Sequence, residues 1–247
     1  KLAAGVMGFP ISHSLSPRLH GFWIKKYDLD ASYVAREVPP ERLAARLKSL
    51  PDTLAEEGLL FRGTNLTIPL KEKALSIVDI IEDSARAIGA INTIVMEGDG
   101  LIVGRNSDGI GFTDSLAEHV DIARFQGKEA LVLGARGAAR AIVYALIQMG
   151  FDKIHLTNRT LARAEELAQD MGGQVIPLEW DAREEKLAFA DLIVNTTSLG
   201  MKGQPPLEIS LKNAKKDAVV TDIVYVPLKT DLLLEAEKYG LVAVDGL

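Results

Sequence analysis

The chain has 247 residues, 47% hydrophobic and 25% charged, which places it among folded globular proteins with room for one large or two medium domains. Its formal net charge of −6 leaves no broad basic field for nucleic acid or an anionic membrane, although a local cationic pocket stays open. The absence of cysteine excludes disulfides and thiolate metal sites, the scattered His13, His20, His119 and His155 lack metal-ligand spacing, and no apolar run approaches the ~20 residues that span a bilayer, so we expect a metal-free cytoplasmic protein.

In chain order, short apolar runs alternate with helix-period runs. Residues 3–8 (AAGVMG) read as a buried strand. Residues 16–29 open on Ser-Pro, a good helix start, and set Leu19, Phe22, Trp23 and Tyr27 along one face. A strand over 32–38 and a helix over 40–50 follow, then a strand over 59–67. Helices are expected over 69–78 and 81–90, and residues 91–106 read as a hairpin around a Gly-Asp-Gly turn. After residue 127 the alternation sharpens. A strand, a glycine turn and a helix end at Gly150, then strand 153–160 and helix 161–172. Strands 174–178, 190–197, 218–224 and 241–246 complete the set, with a helix over 230–240 before the last. Such alternation predicts α/β architecture with parallel sheets covered on both faces, in two domains, 1–104 and 105–247, the second of dinucleotide-binding type.

Four stretches carry candidate chemistry. In LVLGARGAAR (131–140) a glycine turn joins strand to helix, where backbone N–H groups and the helix dipole can hold a pyrophosphate. Gly134 and Ala139 fit the outer positions of G-x-G-x-x-G/A, but Arg136 takes the middle one. It either obstructs the phosphate or offers it charge; a packing turn is the bland alternative. The next strand ends in TNRTLAR (157–163), with no acid for a ribose diol. Arg159 can pair with a 2′-phosphate and Asn158 and Thr160 can add hydrogen bonds, which favours NADP over NAD; Thr160 as a plain helix cap and a solvated Arg163 are the alternative. In GTNLTIPLKEK (63–73) the Ile-Pro step is expected to start a helix at Pro69, setting Lys71 in its first turn, an unfavourable place for a cation unless it has a role or a carboxylate partner. GRNSDGIGF (104–112) offers Asp108, either that partner or a helix cap. Residues 8–17 (GFPISHSLSP) put Ser12, Ser14 and Ser16 on one loop. A serine hydrolase built on His13 and Ser14 is not supported, since no G-x-S-x-G elbow is present; His13 reads as a structural hydrogen-bonder.

Together GFPISHSLSPRLH, GTNLTIPLK, AIGAINT, GRNSDGIGF, NRT, NTTSLGM and DIVYVPLKT resemble the shikimate dehydrogenase family, in order and spacing, over the whole chain. The resemblance implies a substrate domain and a Rossmann-type NADP domain with the active site in the cleft between them, and reduction of 3-dehydroshikimate to shikimate by NADPH, with small molecules as partners and a homodimer admissible. By resemblance Ser14 and Ser16 bind the substrate carboxylate, Thr67, Asn92 and Tyr225 contact substrate, Lys71 is the acid/base and Asp108 its partner. Gly134, Ala135, Arg136, Gly137 and Ala138 match the phosphate turn, Asn158, Arg159, Thr160 and Arg163 the adenosine-phosphate site, and Asp83, Ile223 and Gly246 the nicotinamide side. A quinate/shikimate dehydrogenase using NAD and a binding-only paralogue are the rivals. Three departures stand out besides Arg136: Gly21 in place of Asn, Ser107 in place of Thr, and an end at Asp245-Gly246-Leu247 where the family continues into a helix bearing a substrate-binding glutamine. If that helix is absent rather than omitted, an apolar groove on the first domain is expected to lie open.

Overall fold

The computed structural model describes residues 1–246, in two compact units, Lys1–Ser107 and residues 108 onward. The first unit runs β1 (Leu2–Gly8), α1 (Ser16–Lys26), β2 (Ala31–Glu37), α2 (Leu43–Glu56), β3 (Leu60–Phe61), β4 (Gly63–Leu66), β5 (Ile80–Ile81), α3 (Asp83–Ile88), β6 (Thr93–Met96) and β7 (Ile102–Arg105). Its strands order β2-β1-β4-β6-β7-β5, with β3 also on β1. This sheet is mixed, not parallel as the alternation predicted. β1 pairs in parallel with β2, β3 and β4, but the hairpin β6–β7 places β6 antiparallel to both neighbours. Two-residue-period pairing through a tight turn forces that reversal.

α2 follows a short 3-10 turn at Pro40–Arg42 and runs through Pro51 to Glu56, past the expected end at residue 50. The reason is the buried stripe Leu43, Leu47, Leu50 and Leu54, each side chain contributing about 1.5–3 kcal/mol on burial against the sheet. The expected helix over 69–78 is absent. Residues 68–72 make turns and only a 3-10 segment, Lys73–Ser76, follows. The Lys71 carbonyl accepts from the Ile91 N–H at 2.9 Å, so it cannot serve the ladder of a helix, and the chain must reach β5 by Ile80. Lys71 therefore does not lie in a first helical turn, and the dipole penalty read from the sequence does not apply. Residues 81–90 shorten likewise to α3, because β5 takes the start and Gly89 (φ 71°) ends it.

α1 forms where expected, but it buries none of its residues. It meets the sheet through His20, whose ring stacks on Tyr33 at 4.0 Å, while Leu19, Phe22, Trp23 and Tyr27 are 42–63% exposed. Leu2, Leu29, Val34 and Leu60 add to the exposed apolar side chains of this unit.

The second unit runs α4 (Asp108–Ala117), β8 (Glu129–Leu133), α5 (Gly137–Gln148), β9 (Lys153–Thr157), α6 (Leu161–Met171), β10 (Val175–Leu178), α7 (Arg183–Lys186), β11 (Leu192–Asn195), β12 (Val219–Asp222), α8 (Asp231–Lys238) and β13 (Val242–Val244). Its strands order β10-β9-β8-β11-β12-β13, all parallel. Counted from β8 this is 3-2-1-4-5-6, the dinucleotide-binding order, and the order reverses between β8 and β11. Buried Val, Ile, Leu and Ala fill β8, β11 and β12 on both faces, as a doubly covered sheet requires. Separate apolar layers pack against each face.

Candidate functional site

In the first unit the candidate groups lie at the carboxyl ends of β1 and β4 and on the β6–β7 side. The loop after β1 makes a tight turn, Ser14 N–H to the Ile11 carbonyl at 3.0 Å, and the Ser14 hydroxyl accepts from the Ser16 N–H at 3.3 Å. Both serines are half-buried; His13 and Ser12 are exposed, and His13 makes no side-chain hydrogen bond among the described residues, so it is not the structural bonder expected. Thr67, half-buried, follows β4 and gives its backbone N–H to the Met7 carbonyl.

Sequence reading passed over a line of polar side chains behind these positions. Tyr33 donates to Asn65 Oδ1 at 2.7 Å, Asn65 Nδ2 to Thr93 Oγ1 at 3.1 Å, and Thr93 Oγ1 to Asn92 Oδ1 at 2.8 Å. Asn92, only 7% exposed, then donates from Nδ2 to Ser107 Oγ at 3.1 Å and accepts the Ser107 N–H at Oδ1. Burial pushes the Tyr33 phenol up to about 12, against the Ser16 side chain, which favours ionisation as a donor does. The phenol thus stays protonated and donates. Burial also lowers His20, which keeps the ring stacked on Tyr33 neutral. The one available signal was Asn65 inside GTNLT; Tyr33 sits in an ordinary strand and Thr93 in an ordinary hairpin.

Lys71 is half-buried in the turn after β4. Asp83, exposed, opens α3, and Asp108, half-buried, is the first residue of α4, where a carboxylate favours the dipole. Lys71 and Asp83 belong to the first unit, Asp108 to the second.

In the second unit β8 delivers the chain to Gly134 at φ 105°, a conformation that strains any residue with a side chain. A Cβ there would also lie 2.6 Å from Thr196 Oγ1. The Gly134 N–H bonds the Thr157 carbonyl at 2.7 Å and Thr196 Oγ1 bonds the Leu133 carbonyl, so β9 and β11 clamp the turn. Arg136 is the extended N-cap of α5 with its side chain exposed, and Ala135, Gly137 and Ala138 line the same turn. The N–H groups at the start of α5 and the helix dipole suit a phosphate, and Arg136 points charge outward rather than filling the turn.

Arg159 and Arg163 are exposed at the end of β9 and the start of α6. Neither these nor Arg136 forms an ion pair among the described residues, although elsewhere in the unit Arg140 pairs with Asp170 at 2.7 Å. Thr160 occupies the N-cap of α6 without a side-chain cap bond; Asn158 Nδ2 bonds its carbonyl at 2.9 Å. Three exposed cations and no acid at this edge fit an adenosine phosphate and not a bare ribose diol.

The loops after β11 and β12 are tied by a buried acid the sequence reading did not single out. Asp222, fully buried, accepts from Asn195 Nδ2 at 3.0 Å, the Val224 N–H at 3.0 Å and Thr230 Oγ1 at 2.7 Å. Burial raises its carboxyl, against the three donors. Asn195 Oδ1 in turn accepts the Thr197 N–H and hydroxyl. The network holds the half-buried Ile223 and the exposed Tyr225, and Gly246 packs so tightly that a Cβ would sit 2.7 Å from the Ile223 carbonyl. Among the described residues no group of three His, Asp or Glu could hold a metal ion, and no helix is long and apolar enough to cross a membrane.

Residues 6–94 match the family model for the shikimate dehydrogenase substrate binding domain, and residues 115–231 match that for shikimate / quinate 5-dehydrogenase. The chain is 45% identical over 244 residues to the shikimate dehydrogenase (NADP(+)) of Paramagnetospirillum magneticum, spanning 99% of this chain and 86% of that protein. Among solved structures it is similar to shikimate 5-dehydrogenase from Thermus thermophilus in complex with NADP(H) and shikimate, with 38% identity, a TM-score of 0.84 and coverage of 100% and 87% of the two chains. It is also similar to quinate dehydrogenase from Corynebacterium glutamicum in complex with NAD, at 28% identity and a TM-score of 0.87 over 100% and 88%. Two α/β units, one with the dinucleotide-binding strand order, and likeness along nearly the whole chain agree: this protein belongs to the shikimate dehydrogenase family.

Proposed function

We propose that the protein is an NADP-dependent shikimate dehydrogenase, an oxidoreductase acting on a CH–OH group that interconverts 3-dehydroshikimate and shikimate on the route to aromatic amino acids. The observation that carries this reading is the 45% identity along 99% of the chain to a relative of that name. The preference for NADP over NAD rests on Arg136, Arg159 and Arg163, exposed and without acidic partners among the described residues. That edge is also what argues against the NAD-linked quinate reading, despite the structural likeness to such an enzyme.

NADPH, when bound, supplies the hydride to the substrate's ketone carbon. Negative charge then grows on the ketone oxygen, and Lys71 as an ammonium holds that oxygen and gives it a proton. In oxidation neutral Lys71 takes the proton back from the hydroxyl. Asp108 orients the lysine, and Ser14 and Ser16 hold the substrate carboxylate through their hydroxyls. Thr67, Asn92 and Tyr225 complete the substrate contacts, and Asp83, Ile223 and Gly246 line the nicotinamide side. The same reading takes the enzyme as cytoplasmic, without nucleic-acid or membrane partners, and admits a homodimer, which light scattering would read.

The test is to mix the protein with shikimate and NADP or NAD and follow absorbance of the reduced nicotinamide. Reduction with NADP, and far less with NAD, is expected. A folded sample that reduces neither would overturn the enzyme reading, and preference for NAD with quinate would move it to the quinate branch.

A further inference from the structure

The polar line behind the substrate loops of the first unit has a direction that its chemistry alone settles. A backbone N–H can only donate, so the Asn92 side-chain atom 3.1 Å from the Ser107 N–H is its oxygen. Thr93 must then donate its hydroxyl proton to that oxygen, 2.8 Å away, and can only accept from Asn65, at 3.1 Å. The Asn92 carbonyl, which can only accept, faces the same Asn65 nitrogen at 3.5 Å, so Asn65 turns its oxygen to Tyr33. Each group has one consistent role, and each amide has one orientation. Asn92 is left presenting Nδ2, its donor end, away from Thr93.

We propose that Thr93, backed by Asn65 and Tyr33, is a positioning residue that locks the Asn92 amide donor-outward for a hydroxyl oxygen of the polyhydroxylated substrate. This rests on the functional reading above, in which Asn92 contacts substrate. Thr93 itself does not touch the ligand. Its hydroxyl holds Asn92 Oδ1 so that the amide cannot turn over and present an acceptor where a donor is needed. Tyr33 fixes the same choice one step further back, its phenol held against the His20 ring.

The test compares wild type with Thr93→Val, Thr93→Ser and Tyr33→Phe, with shikimate varied at saturating NADP and NADP varied at saturating shikimate. Loss of one neutral hydrogen bond is worth roughly five- to tenfold, so Thr93→Val raises the KM for shikimate by about that factor while kcat and the KM for NADP stay within about twofold. Thr93→Ser, which keeps the hydroxyl, restores the wild-type KM. Tyr33→Phe raises it by about threefold, the smaller effect of a more distant bond. A shikimate KM unmoved in both Thr93→Val and Tyr33→Phe overturns the proposal. So does a Thr93→Ser variant as impaired as Thr93→Val, or a parallel rise in the KM for NADP, since either marks a packing role. If Thr93→Val does not fold, Tyr33→Phe decides alone. Wild type that turns over shikimate with these variants unchanged refutes only the positioning role; wild type inert toward shikimate refutes the functional reading and the proposal with it.

Discussion

The strand–helix step from β1 to α1 and the step from β8 to α5 start alike, with a central strand that ends at a sheet's carboxyl edge, and then diverge. After β1 the chain spends residues 9–15 on a loop before α1 begins, and that helix buries nothing. After β8 only residues 134–136 intervene, and α5 buries Ala139, Ala141, Ile142, Val143, Ala145 and Leu146. Small residues let α5 lie close, and the short turn points its N-terminal N–H groups at whatever lies past the strand. The long loop instead presents side chains, the hydroxyls of Ser14 and Ser16. One unit is thus equipped to bind by side-chain groups and the other chiefly by backbone, with arginines added around it.

The predictions break this contrast one side at a time. The largest effect is expected in the unit that works through side chains: Lys71→Ala should lower kcat by ~100-fold or more, measured by steady-state rates, with the melting temperature near wild type. Near-normal turnover would remove Lys71 from the acid/base role. The backbone side is broken by Gly134→Val, which combines a forbidden φ with overlap on Thr196 and should cost roughly 2–4 kcal/mol in denaturant melts, along with cofactor binding. A variant as stable as wild type that still binds NADP would show that the turn has more freedom than its geometry allows. Arg159→Ala should weaken NADP by about 10- to 100-fold and leave NAD little changed, since only the former offers a 2′-phosphate; equal losses in fluorescence titrations with the two cofactors would reject the assignment.

The smallest effect concerns Asp222. Its carboxyl is raised in the folded protein by burial, so the stability it contributes is present below the unfolded carboxylate range and is lost as pH rises through the raised value. Asp222→Asn, which keeps an oxygen for Asn195 and Val224, should therefore gain on wild type in unfolding free energy between about pH 4 and pH 7. A constant difference across that range would mean the three donors fully offset the burial.

Where sequence periodicity was strong, the fold was legible. β8 through α6 form within a few residues of expectation, because a buried parallel strand and an amphipathic helix each leave a pattern that neighbours reinforce. Residues 69–78 went the other way: Leu70 and Ala74 do bury at helical spacing, but the Lys71 carbonyl is taken by Ile91, which lies far along the chain. Around the candidate site, the residues carrying charge or hydroxyls on glycine- and proline-rich loops were visible as motifs. Tyr33, Thr93, Asn195 and Asp222 were not, since each sits in a strand whose sequence reads as scaffold.

The sequence alone determined the alternation of strands and helices, the absence of thiol chemistry and the lack of an acid after β9, because each is a matter of residue type at a local spacing. Tertiary structure decided the mixed pairing of the first sheet, the turn that carries Lys71, the exposed face of α1 and the buried hydrogen-bond lines behind Asn92 and Ile223. Those depend on which distant backbone groups claim a carbonyl or cover a face, and hydrogen-bond satisfaction across β4, β6 and β12 is settled only when the strands meet.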